Sequence, residues 1–432
     1  MKITKSILFN IFIASAVIGL GISYSKIYLF HIILVLFIIF SLINNKFKID
    51  ISEVKTKRHY FLIIMFLWYI LSTLWSLHKL YSIMYLGYLF FGIFIVYSIV
   101  YKATNEQELS KLFKILAILF SIEIFICLLE GLGIFRYPIS PFSKLVVYFG
   151  REIDGNLLIN TDSSVLNELM HMPTGFRWNT NNLAIIMNLL LPFVLFHKNN
   201  KVKIIFSVLI LFIIYSTSSR GNLIAFLIII TLYFGFFLRK NFLTLAFLLL
   251  TLIPVFLTFS KNSFLVSKLE NSFEAIKIFT TQKAYGENSL SYRQKYIENG
   301  INALLDTYGL GVGAGNSGNE EYHQNVLDKK TGRVSLHNFW VEILVDGGVI
   351  FAIFFYIWYI SLIISLYKVY LKSRQNKTLE YFSASCSLSL AGLIFSAIAG
   401  SSVIYEFPMW ILFGFSIAVI NLNYNNKSIN IQ

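Results

Sequence analysis

The sequence predicts an all-α polytopic membrane protein with about twelve transmembrane helices. Three observations carry that prediction. Apolar residues make up 56% of the 432 and charged residues only 13%, where a soluble domain has roughly a quarter charged. Apolar runs of about 17 to 22 residues, the length that crosses a hydrocarbon core, recur along the chain. The basic residues between the runs fall alternately into crowded and sparse segments, as they do when short loops lie on opposite sides of a membrane. Disorder is excluded, and a soluble enzyme does not fit.

Runs bounded by Lys, Arg, Asn and Gly place the spans, in order, at about 6–24, 27–43, 60–77, 80–101, 109–132, 182–197, 204–218, 221–238, 242–259, 339–367, 381–400 and 405–422. With the N-terminus inside, the cytoplasmic segments hold clusters such as Lys55, Lys57 and Arg58, then Lys198, Lys201 and Lys203, then Lys368, Lys372, Arg374 and Lys377. The short outer turns hold only Lys26, Lys79 and Arg220. This asymmetry places both termini in the cytoplasm of a multi-pass inner-membrane protein. It also accounts for most of the net charge of +14 without a nucleic-acid partner. Ala14-Ser15-Ala16 resembles a signal-peptidase site, but apolar sequence continues to Tyr24, so the first span is expected to stay uncleaved. Cys127 and Cys386 both fall inside apolar runs and read as small buried residues.

Residues 1–432 thus read as a single integral membrane domain with two long outer segments, 133–181 and 260–338. Function is expected there. The second segment contains two stretches with helical apolar spacing: Leu265, Leu269, Phe273 and Ile276, then Tyr292, Tyr296, Ile301, Leu305 and Tyr308. Both fit amphipathic helices on the outer membrane surface, and the first fits equally well as packing against the bundle.

Three positions could carry chemistry. Arg220, in Ser219-Arg220-Gly221, sits in a tight turn between two spans. A guanidinium there needs water, a carboxylate or an anionic ligand, and can otherwise be an interfacial anchor. Arg293 opens the second amphipathic stretch and precedes the glycine run Gly309 to Asn316. That run fails both the dinucleotide and the phosphate-loop patterns, and its spacing suits either an oxyanion cradle or a tight bend. His337 lies at the outer end of the tenth span, where an imidazole can act as a base or be a hydrogen-bonded interface residue. Glu342 and Asp346 follow on one helical face, as orienters, ion-pair partners or residues facing a wet cleft. No metal site is expected: Glu320-Glu321-Tyr322-His323 reads as a solvated loop, and no D-x-D pair occurs.

In this order and topology, these positions resemble the O-antigen ligase and polysaccharide polymerase superfamily of bacterial membrane glycosyltransferases. Gly175 to Ala184, with Asn179 and Asn181, is similar to the family's G-x-x-x-N-P-N-x-x-A stretch, with Thr180 in place of proline. Ser219-Arg220-Gly221 resembles the S-R-G turn. Arg293 with Gly313 and Asn316 resembles R…G-x-G-x-G-N, and His337-Asn338 with Gly347-Gly348 resembles H-N…G. The resemblance covers about residues 173–350 and lies nearest to teichuronic-acid and capsule polymerases.

The resemblance implies a lipid-donor, GT-C-like fold with the large outer loop roofing the active cleft. It further implies transfer of a saccharide from an undecaprenyl-diphosphate donor to an acceptor hydroxyl, inverting and metal-independent, with no cofactor. His337 would be the base and Arg220 and Arg293 the diphosphate clamps. Asn179, Asn181, Gly313, Asn316, Asn338 and Glu342 would support them. Membrane lipids, a flippase and a chain-length regulator are the implied partners. The chemistry is coherent: charge developing on a departing diphosphate suits arginine forks, and a histidine suits the acceptor proton. Three other readings stay open, namely an O-antigen ligase acting on lipid A core, a transporter of lipid-linked sugars using Glu123 and Glu130 of the fifth span, and a structural scaffold.

Overall fold

A computed structural model describes residues 5–43, 57–152, 169–237, 289–326, 334–400 and 402–429. Within them the chain is mostly helical. In order the helices are α1 Lys5–Ile18, α2 Leu29–Ile43, α3 Tyr60–Ser72, α4 Lys79–Lys102, α5 Glu106–Gly131, α6 Thr180–Leu195, α7 Asn200–Ser216, α8 Arg220–Leu232, α9 Ser289–Asp306, α10 Phe339–Gly347, α11 Val349–Lys372, α12 Lys377–Ser396 and α13 Phe407–Ile429. A two-stranded hairpin, β1 Ser23–Tyr24 and β2 Ile27–Tyr28, joins α1 to α2. Asparagines start many of the helices: Asn105, Asn179, Asn199, Asn338 and Asn376 each accept a backbone N–H of the following turn.

Six of the described helices are long and apolar enough to cross a membrane: α4, α5, α8 continued by a π turn to Phe237, α11, α12 and α13. Stretches 6–21, 29–40 and 180–195 are shorter apolar helices. The chain is therefore a multi-pass helical membrane protein, and the ninth expected span, 242–259, lies outside the described residues. So does the first amphipathic stretch, Leu265 to Ile276.

Three expected spans end or break differently: the first, expected to run to residue 24, leaves the α-helix at Ile18 for a single tighter turn over Gly19–Gly21 and then β1. The third stops at Ser72 rather than residue 77, because the segment after it turns to grip the glycine run: the Trp75 indole N–H donates to the Gly311 carbonyl at 2.9 Å. The tenth, expected as one helix over 339–367, is two, α10 and α11, divided at Gly348. Gly348 has φ +83°, and a Cβ there would lie 2.2 Å from the Leu310 carbonyl oxygen, so only glycine fits this break.

The centre of the bundle is α12 and α13. The apolar stretch of α13 is 89% buried and that of α12 67%, against 28–39% for the other four long helices. Small residues let α12 pack closely on its neighbours. Ser389 Oγ donates to the Leu189 carbonyl of α6 at 2.7 Å, and Ser387 Oγ to the Ile363 carbonyl of α11 at 3.2 Å. Cys127 and Cys386 are both buried free thiols, as expected.

Candidate functional site

The ends of α1, α5, α7 and α12 and the starts of α6, α8, α10 and α13 meet at one end of the bundle, and every singled-out motif lies there. The link between them is the short segment after α12. The Ala397 carbonyl accepts the Phe339 N–H at 3.0 Å. Gly221 stands so close to Ala399 that a Cβ on it would come within 2.6 Å of the Ala399 Cβ. A Cβ on Gly400 would meet the Ile185 side chain of α6 at 2.2 Å. Residues 397–400 thus hold the Asn179 motif, the Arg220 turn and the His337 turn against one another, a role that apolar sequence alone does not announce.

His337 sits in a left-handed turn, φ +51°, a conformation uncommon outside glycine that histidine, like asparagine, adopts more readily than most residues. Its backbone N–H donates to Ser335 Oγ at 3.1 Å, and its Nδ1 is buried with no hydrogen-bond partner among the described residues. Burial first, and then the nearby Arg293 guanidinium, lower its pKa to about 4. Asn338 caps α10 with its side-chain oxygen on the N–H groups of Trp340 and Val341. The turn that presents the imidazole is fixed from both sides.

Arg293 lies in the first turns of α9, which extends over Ser289–Asp306 where apolar spacing predicts an amphipathic helix. Tyr308 falls beyond it, in a positive-φ turn. Arg293 is half-buried, and burial lowers its pKa. Arg220 is the first residue of α8, exposed. Two residues on, Asn222 donates to Ser219 Oγ at 2.9 Å and to the Asn181 carbonyl at 3.4 Å, joining the Arg220 turn to the start of α6. Thr180, standing where the family pattern has proline, is the first residue of α6, a position where the missing proline N–H would have had no partner in the helix.

The glycine run is a bend. Val312 N–H donates to the Val345 carbonyl at 2.9 Å, Gly313 N–H to the Asp346 carbonyl at 3.1 Å and Ala314 N–H to Ser72 Oγ at 3.0 Å. These amides are engaged, so the run does not form an oxyanion cradle. A Cβ on Gly313 would lie 2.8 Å from the Ser72 carbonyl. Asn316 is fully buried and ties the run to α4, donating to Ser82 Oγ at 2.9 Å and accepting from the His78 N–H at 2.8 Å. Asp346 receives the Ser317 N–H at 2.7 Å, while Glu342 accepts from the Ser402 hydroxyl and lines a cavity. His323, read from sequence as solvated, is fully buried, its Nε2 2.8 Å from the Ser317 carbonyl, because the loop folds under α9.

The largest departure from sequence reasoning is Arg177. It is buried between Glu123 of α5 and Glu406 before α13, with Nε and Nη2 3.1 and 3.2 Å from the two Glu123 oxygens and Nη1 3.5 Å from Glu406. Glu130 in turn accepts from Arg136 at 3.2 Å and from the backbone N–H groups of Thr174 and Gly175, each at 2.8 Å. The two carboxylates of the fifth span therefore pin the described ends of the 133–181 segment, at Arg136 and at Thr174 to Arg177, to the bundle. The sequence held one clue, Arg177 inside an otherwise apolar and amide-rich motif, because a buried guanidinium demands a carboxylate.

A helical membrane bundle that gathers two arginines, a histidine and a polar cavity at one end defines the class of polytopic membrane proteins with a polar site at the bundle end. Residues 205–356 match the family described as O-antigen ligase. That region holds Arg220, Arg293, Gly313, Asn316, His337, Asn338 and Glu342 and leaves out Asn179 and Asn181. The chain is also 32% identical over 131 residues to the teichuronic acid biosynthesis protein TuaE of Bacillus subtilis (strain 168), a match covering 30% of this chain and 26% of that protein. It thus aligns with about a quarter of the length of the relative. Over these residues the chain is similar to the O-antigen ligase family, in keeping with the resemblance to the O-antigen ligase and polysaccharide polymerase superfamily.

Proposed function

We propose that this protein is a glycosyltransferase that polymerises undecaprenyl-diphosphate-linked oligosaccharide repeats into a surface polysaccharide. The reaction would take place on the outer side of the cytoplasmic membrane, in a GT-C-like bundle of about twelve spans with both termini inside. The observation that carries the reading is the neighbourhood of His337 and Arg293: a neutral, buried imidazole beside a half-buried guanidinium.

In this reading the acceptor hydroxyl attacks the anomeric carbon as its bond to the diphosphate oxygen breaks, with inversion. His337 takes the hydroxyl proton, and Arg293 and Arg220 bind the departing diphosphate. A neutral imidazole is the form that can accept a proton. A dianionic diphosphate beside Arg293 offsets the positive field that disfavours the imidazolium, so donor binding raises the basicity of His337 toward that needed near neutral pH. Asn338 sets the His337 turn, Asn179 and Asn181 start α6 beside Arg220, and Gly313, Asn316 and Glu342 brace the loop beneath.

The description of the matching family favours a second reading, ligation of a finished polysaccharide to another acceptor such as lipid A core. Purified protein given only a lipid-linked repeat separates the two. A ladder of product lengths supports the polymerase, and product only after lipid A core is added supports the ligase. Glu123 and Glu130, the residues a transporter reading would use, are ion-paired with Arg177 and Arg136.

A further inference from the structure

An apolar crevice of about 250 Å³ runs along the side of the bundle, walled by α5, α6, α7 and α13. It opens because α5 presents two small side chains one turn apart, Ala117 and Ser121, both exposed, where the adjoining outward positions carry Ile118, Ile122 and Phe125. Its floor is made of larger apolar side chains such as Leu116, Ile186, Leu189 and Ile411. The lining residues on α5 run from Phe113 to Ile124, about 16 Å along the helix axis. That length suits one extended hydrocarbon chain.

Three polar side chains interrupt this wall, and two are engaged within the bundle. Ser121 Oγ donates to the Ala117 carbonyl at 2.8 Å, and the Tyr381 hydroxyl to the Phe193 carbonyl at 2.7 Å. The third, His197, accepts the Asn199 N–H on Nδ1 at 3.1 Å, which leaves the proton of the neutral ring on Nε2 as a donor. A sugar or nucleotide here would set most of its polar atoms against hydrocarbon side chains. Hydrogen bonding is on offer at one end only, and that end is basic. Lys198 follows His197, Lys201 and Lys203 flank Val202 of the wall, and Lys114 follows Phe113. Among the described residues none of these four lysines pairs with a carboxylate, whereas Lys102, Lys111 and Lys377, at the same end of the bundle, do. It is the end away from His337, since α6 and α13 start at the site and α5 finishes there.

We infer that this crevice binds an anionic phospholipid of the leaflet opposite the site, with one acyl chain along Ala117 and Ser121 and the phosphate at His197, Lys198 and Lys201. Each basic residue near a membrane surface favours anionic lipid by about fivefold, and a zwitterionic head gains little from unpaired lysines. The walls also reach the site: α5 carries Glu123 and Glu406 precedes α13, both on Arg177. A chain filling the crevice therefore braces the helices that hold the far end together. The assignment is independent of the transferase reading.

Photolabelling tests it. Purified full-length protein in detergent is irradiated with phosphatidylglycerol bearing a diazirine in its acyl chain, and adducts are mapped by peptide mass spectrometry. Label is expected within 113–124 and 186–206, competed by unlabelled phosphatidylglycerol and far less by phosphatidylcholine. Lys198→Gln with Lys201→Gln should lower it about tenfold or more, and Ala117→Phe, which puts a ring in the crevice from an exposed position, should abolish it. Both variants are first shown monodisperse by gel filtration, and the lysine pair alone decides the matter where Ala117→Phe does not fold. Equal competition by phosphatidylcholine, or label unchanged in the lysine pair, reduces the crevice to unselective lipid contact and overturns the assignment. Stronger competition by undecaprenyl phosphate overturns it in favour of a polyprenyl tail, and absence of label from both segments overturns it outright.

Discussion

The guanidinium of Arg293 lies close enough to the imidazole of His337 to oppose its protonation, although the two reach this point from separate turns of the chain. Burial of the imidazole is the larger cause of its lowered pKa, and the half-buried guanidinium acts in the same direction.

The first prediction concerns pH. With its pKa held near 4, His337 is neutral throughout the physiological range, where an unperturbed histidine titrates near 6.5. The acid limb of kcat/KM, which reports the free enzyme, should therefore lie well below pH 6. The acid limb of kcat should lie higher, because bound diphosphate opposes the field of Arg293. Arg293→Gln should raise the limb in kcat/KM. A profile that does not move in this variant would remove Arg293 from the surroundings of the base.

The same shift has a stability consequence of definite sign. Between the unfolded value near 6.5 and the folded value of about 4, the unfolded chain binds a proton that the folded chain refuses. This group's contribution is present in full above pH 6.5 and is lost progressively as pH falls toward 4. His337→Gln should flatten that part of the melting-temperature profile in detergent.

Removal of the base and of a phosphate clamp should cost activity without costing the fold. His337→Ala should lower turnover by about 10²–10⁴-fold, and Arg220→Ala by about 10²–10³-fold. Both should keep wild-type yield in the membrane fraction, since His337 is half-buried in a turn outside the apolar core and Arg220 is exposed. Arg293→Lys should also be impaired, because an ammonium cannot reproduce the planar fork. Product quantified from a radiolabelled lipid-linked repeat decides each case.

The buried pair beneath the site should behave in the opposite way. Arg177→Ala leaves Glu123 buried without its partner and should destabilise the fold by about 3–5 kcal/mol. The double variant Arg177→Met with Glu123→Gln should recover much of that loss. Thermal unfolding followed by tryptophan fluorescence measures both, and additive losses in the double variant would show that the pair is not coupled.

Gly348→Ala should abolish the folded protein. It forces a side chain into φ +83° and sets a Cβ 2.2 Å from the Leu310 carbonyl oxygen, backbone that cannot swing away. Gly87→Ala, where no atom stands within 4 Å, is the matched control and should fold normally. Gel filtration of the two fused to a fluorescent reporter distinguishes them.

What the sequence determined by itself is what one dimension can record. Apolar runs and loop charges specify helices in a membrane, because the hydrocarbon core admits only segments that satisfy their own backbone, and that holds whatever the neighbours are. The boundaries of α4, α6, α7, α8 and α12 fall within a few residues of expectation for the same reason. Arg220, Arg293 and His337 could be named because their motifs are short and local. Tertiary structure alone decided the rest. The glycine run became a bend because α10 and Ser72 take up its amides, and the span after His337 broke because Leu310 occupies the space of a Gly348 side chain. Glu123 became an anchor because Arg177 arrives from the far end of a long loop, and Glu130 because the Thr174 and Gly175 backbone amides meet it beside its near neighbour Arg136. Each of these outcomes depends on which group fills a given position in space, and contacts between residues far apart in the chain leave no periodicity to read.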